Sequence, residues 1–125
     1  MNPNDLTGAV VDAAIKVHRA LGPGLLESAY QACLAFELRD RDLLVETEVP
    51  LPVVYRDVQL EVGYRIDLLV ENQVIVELKS VDSLLPIHQA QVLSYMKMSN
   101  KKVGLLINFN VTLLKDGVRR LVKNF

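Results

Sequence analysis

The chain has 125 residues and a mass of 14.0 kDa, 50% hydrophobic and 23% charged, with 5 prolines and 6 glycines. That balance predicts one globular domain over residues 1–125 and excludes a disordered or fibrous chain. The net charge of -1 and the short apolar runs exclude a uniformly basic protein and a membrane span.

Apolar residues Leu6, Val10, Ala13, Ala14, Val17 and Leu21 recur at helical spacing, with Asn4 or Asp5 as cap and Gly22 as stop. After the break Gly22-Pro23-Gly24 a second helix is predicted from about Leu25 to Arg41. Its single cysteine, Cys33, is read as a small buried hydrophobe. One cysteine allows no internal disulfide, and the N-terminus lacks the pattern of a secretory signal, so a reducing, cytoplasmic setting is expected. From Val45 to Tyr55 the period becomes two, a strand whose Pro50 and Pro52 demand a sheet edge or a bulge. Val58 to Val70 reads as a second strand interrupted near Gly63, and Val74 to Lys79 as a third, with Asn72 in the hairpin between them. Pro86 suits the first turn of a helix running to about Asn100. Residues 103–109, VGLLINF, have the continuous apolar character of a strand buried on both faces, and Val118 to Lys123 alternates as an edge strand. The order predicts an α/β fold with a central mixed sheet flanked by helices.

On the third strand, alternation puts Glu77 and Lys79 on one face with Ile75, opposite Val74, Val76 and Leu78. The preceding strand divides into Ile66, Leu68 and Val70 on one face and Arg65, Asp67 and Leu69 on the other. A connection of Glu71, Asn72 and Gln73 sets Val70 against Val74 and Asp67 against Glu77; a two-residue loop would mix the faces. Facing carboxylates repel unless something positive lies between them, and the candidates are a divalent cation, Lys79 and Arg65. Two converging carboxylates suit Mg²⁺, beside which Lys79 could position or deprotonate a water.

Two further clusters could complete a site. Glu27 lies in the first turn of the second helix with Tyr30 one turn on; the plainer alternative is a carboxylate complementing the helix dipole and a packing tyrosine. His88, Gln91 and Tyr95 form one stripe on the later helix, where a solvated face and a helix-end histidine are the alternatives. His88 has no second ligand at zinc spacing. Charge is divided along the chain: residues 1–78 hold 6 Lys and Arg against 13 Asp and Glu, whereas residues 79–125 hold 8 against 2. Lys97, Lys101, Lys102, Arg119, Arg120 and Lys123 could therefore contact phosphates.

Taken together, Gly24, Glu27 and Tyr30, then Tyr64, Arg65 and Asp67, then Glu77, Leu78 and Lys79, then His88 to Gln91 with Tyr95, and GLLINF at 104–109 resemble the GxxExxY protein family, placed in the PD-(D/E)XK nuclease superfamily. The resemblance runs from about Leu6 to Val122. It implies a restriction-endonuclease-like core in which a helix precedes three antiparallel strands, followed by a helix and a further strand. It also implies Mg²⁺ or Mn²⁺ held by Asp67 and Glu77 with the Leu78 carbonyl and Glu27, Lys79 serving the attacking water, and Gln91 orienting Lys79 or a phosphate. Tyr30, Arg65, His88, Tyr95 and Lys97 are the expected substrate-binding residues. The activity expected is metal-dependent hydrolysis of nucleic acid, DNA first, by a chain that could pair as a homodimer. The alternative is a non-catalytic module binding nucleic acid or protein, in which Arg65 and Lys79 neutralise Asp67 and Glu77. A nucleotide hydrolase finds no support, since no glycine-rich phosphate loop is present.

Overall fold

The computed structural model of the chain describes residues 1–123. Helix α1 spans Pro3–Leu21. Its cap is Asn2, not Asn4 or Asp5: the Asn2 side chain accepts from the Asp5 amide at 2.8 Å. Pro3, with no amide to satisfy, fills the first helical position and moves the start upstream. The helix stops at Gly22, whose φ of 71° suits a residue without Cβ. Helix α2 is Glu27–Asp40.

Strands β1 (Val45–Pro50), β4 (Arg65–Val70), β5 (Val74–Lys79), β6 (Val103–Asn108) and β7 (Val118–Val122) form one five-stranded sheet in the order β1-β4-β5-β6-β7. Only β5 and β6 run parallel, joined over the sheet by helix α3 (Pro86–Ser99), so the sheet is mixed as expected. The two predicted long strands before Val70 are each split: β2 (Val53–Tyr55) and β3 (Val58–Leu60) pair only with each other as a separate ribbon. The prolines at 50 and 52 explain the break, because neither can donate to a ladder. The connection Glu71–Gln73 gives the predicted hairpin register, with Val70 against Val74 and Leu68 against Val76.

Two cores flank the sheet. Leu6, Val10 and Val17 of α1 and Leu34 and Leu38 of α2 pack on Leu68, Val70, Val76, Leu105 and Ile107. Val92, Tyr95 and Met96 of α3 pack on Ile66, Leu69, Ile75 and Leu106 of the other face. Contact of α3 with the sheet is close at Gly104, where a Cβ would come within 2.9 Å of the Met96 sulfur and a Val92 methyl. Ile66 is a correction: expected to share a face with Leu68 and Val70, it lies on the α3 side. The cause is a kink where β1 and β4 meet. Glu48 takes φ 52°, and the ladder passes from Thr47↔Leu68 to Val49↔Ile66 without pairing Glu48 with Asp67. No helix among the described residues is long and apolar enough to cross a membrane.

Candidate metal and phosphate cleft

The kink aims Asp67 at β5. The β4–β5 pairing runs from Val70↔Val74 to Leu68↔Val76, and beyond it side chains take over: the Asp67 amide donates to Glu77 Oε1 (3.1 Å) and the Leu78 amide to Asp67 Oδ2 (2.9 Å). Each carboxyl is thus pinned by the other residue's strand, and the two are close enough to share a hydrogen bond. Glu77 is only 4% exposed, and its pKa is pushed up to about 9. Burial is the largest cause, followed by the charge of Asp67 and the hydrogen bond with it; the Asp67 amide and the charge of Lys79 act in the opposite sense. Among the described residues no ion pair joins Arg65 or Lys79 to either carboxylate; the ion pairs lie instead among Asp12, Lys16, Glu37 and Arg41 on α1, α2 and the end of α2. Burial and the neighbouring Asp67 carboxyl thus favour the protonated form of Glu77.

Lys79 ends β5 with its Nζ donating to Gln91 Oε1 (3.1 Å), and Gln91 Nε2 donates to the Tyr95 hydroxyl (3.3 Å). Burial and then the charge of Glu77 raise the Tyr95 hydroxyl above its ordinary pKa. The β5 terminus is fixed from β6, where the Phe109 amide donates to the Lys79 carbonyl and buried Asn108 holds Val81 through both its amide and its carbonyl.

These residues enclose a cleft of about 400 Å³ lined by Glu27, Arg65, Asp67, Glu77, Leu78, Lys79, Gln91 and Tyr95, all singled out from the sequence, together with Ser28, Gln31 and Glu48, which were not. Gln31 donates to Glu48 Oε1 at 2.8 Å, tying α2 to the kink. Its spacing, one turn after Glu27, was the available signal. Nothing in the alternation of β1 marks Glu48.

Three expectations change. Tyr30 does not reach the cleft. Its ring is fully buried and stacks on Phe109 with centroids 4.4 Å apart, while its hydroxyl donates to the Gly22 carbonyl (2.6 Å) and accepts from the Leu25 amide (3.1 Å). It clamps the turn that launches α2, and through it Glu27. His88 caps its own helix, Nδ1 accepting from the Leu85 amide at 2.9 Å, because that amide at the cap position has no intrahelical partner. It and Lys97 line an adjoining groove instead. Glu27 stays exposed on the rim, and no group of three or more His, Cys, Asp or Glu that could hold a metal ion is found among the described residues. The ligand set drawn together is the Asp67–Glu77 pair.

That pair fits a hard divalent cation of the Mg²⁺ type, which takes one or two protein carboxylates and completes its shell with water and phosphate oxygens. Its donors are all oxygen, and because burial favours the protonated form of Glu77, a cation would compete with that proton.

No curated protein and no solved structure matches the chain. A sequence model of the PD-(D/E)XK nuclease superfamily matches residues 4–121, nearly the whole chain and every residue of the cleft. The mixed sheet with helices on both faces is consistent with that match, and the chain belongs to the PD-(D/E)XK nuclease superfamily.

Proposed function

We propose that the chain, acting as a single domain, is a metal-dependent nuclease that hydrolyses phosphodiester bonds, with DNA as the expected substrate. The observation that supports this reading most is the mutual pinning of Asp67 and Glu77, with Lys79 one alternate position beyond Glu77 and facing the same cleft. Asp67 and Glu77, with the Leu78 carbonyl, would hold Mg²⁺ or Mn²⁺, and a bound cation of this kind polarises a phosphoryl oxygen and makes water acidic. Lys79 spends one of its three N–H donors on Gln91, leaving two for a phosphate oxygen or the attacking water. Gln91, itself braced against Tyr95, fixes the direction of that ammonium. Glu27 and Arg65 also line the cleft, where the guanidinium would bind the phosphate and the carboxylate would face the water or the cation.

Circular and linear, single- and double-stranded DNA incubated with the purified protein and Mg²⁺ or Mn²⁺ tests the proposal. Cleavage that requires the metal and disappears in Asp67→Ala and in Lys79→Ala is expected; cleavage that persists in both would overturn the assignment.

A further inference from the structure

Beside the cleft lies a larger groove of about 890 Å³, and the two share Lys79, Gln91 and Tyr95. One wall is Val54 of the β2–β3 ribbon with Tyr64; the other is the outer face of α3 with Ile87 and Met98. These side chains are left open to water, Val54 at 65% exposure, Ile87 at 68% and Tyr64 at 46%. Tyr64 meets Tyr95 at 5.8 Å with rings tilted by 53°, so its ring is held in place while nearly half its surface is available. A polar cleft thus opens into a slot that is apolar and aromatic, with Lys97 among its lining residues.

An occupant must offer an anion and, a few ångströms away, a flat apolar group. Intact duplex does not, because its base faces are stacked on one another and its outer surface is phosphate. An unpaired strand does: its bases stack readily on exposed aromatic rings while cations track its phosphates. We propose that this groove seats unpaired bases next to the scissile phosphate, so that the substrate is a single strand or a locally unpaired one. The proposal rests on the nuclease reading of the cleft and narrows its substrate. Tyr64 is the stacking platform, Val54 and Ile87 close the sides, and Lys97 takes a neighbouring phosphate.

Binding measured by fluorescence anisotropy in EDTA tests the groove without requiring catalysis. The probes are a mixed-sequence oligonucleotide, the same length with an abasic tract, and the annealed duplex, each as DNA and as RNA. Expected, with either sugar, is a single strand bound more tightly than duplex, and a loss of about tenfold on Tyr64→Ala that Tyr64→Phe restores. The abasic strand should lose as much by itself and be insensitive to Tyr64→Ala. Ile87→Ser, on an exposed helix face, gives a second reading if Tyr64→Ala does not fold. Duplex bound as tightly as single strand, or an abasic strand bound as well as an intact one, with both sugars, overturns the proposal. So does a dimer that Tyr64→Ala dissociates with nucleic-acid binding unchanged, which assigns the groove to a second copy. Metal-dependent cleavage of intact duplex that ignores Tyr64→Ala keeps the nuclease and removes the groove. Base-dependent binding without any cleavage supports the groove and counts against the nuclease.

Discussion

Glu77 is a carboxyl almost wholly withdrawn from water. With its folded pKa raised from 4.5 to about 9, the folded state keeps a proton that the unfolded chain releases. Stability of the metal-free protein is therefore fullest below about pH 4.5 as far as this group is concerned, and falls as pH rises from there toward 9. Thermal melts in EDTA across that window should show the slope, and Glu77→Gln, which keeps the shape without the charge, should flatten it. Adding Mg²⁺ at pH 8 should raise the melting temperature of the wild type and leave Glu77→Gln unmoved, since a ligand that binds only the folded state stabilises by mass action. A cluster neutralised by its own side chains would be indifferent to the metal. Tyr30 is a second case. Tyr30→Phe keeps the ring stack on Phe109 but removes both hydroxyl contacts, and should cost about 1–3 kcal/mol in chemical denaturation. It should also lower cleavage, because Glu27 is launched from the turn that this hydroxyl ties.

At the scale of elements, the kink between β1 and β4 is what builds the cleft. Glu48 sits in left-handed backbone, which a β-branched side chain tolerates poorly and asparagine accepts. Glu48→Val, favourable by strand propensity alone, should destabilise the protein by about 1–2 kcal/mol and reduce cleavage, whereas Glu48→Asn should keep the fold; equal stability of the two would show that the kink does not depend on this residue. The sequence made the helices, the Glu71–Gln73 hairpin and the parallel strand β6 legible because each depends on local pattern or on apolar pairing. Asp67, Glu77, Lys79 and Gln91 line one cleft for the same reason: alternation and helical spacing place them there. What local pattern could not show was the reversal of Ile66, which follows from the twist at Glu48, or the split of the long strands into a separate ribbon. At Tyr30 and His88 spacing left the plainer alternatives open, because it does not say that a backbone group nearby lacks a partner. Both hydroxyl and imidazole are used to satisfy such groups, at Gly22, Leu25 and Leu85.

Across the whole molecule, the charge boundary at Lys79 becomes a spatial one. The sheet order puts β1, β4 and β5, all from the acidic part of the chain, at one side and β6 and β7 at the other, with exposed Arg119, Arg120 and Lys123 along the β7 edge. The same order has a consequence for how the protein comes to be folded. Asp67 and Glu77 are only ten residues apart and belong to one hairpin, while β5 and β6 can pair only after α3 has crossed between them, and β1 must reach β4 past the intervening ribbon. Short loops close at the least entropic cost, so the hairpin is the natural nucleus. Stopped-flow refolding should show Asn72→Pro in its turn slowing folding, and Leu121→Ala on the β7 edge chiefly speeding unfolding. The two carboxylates would then meet before most of the molecule exists, and the rest of the chain would assemble around a pair of acids already in contact.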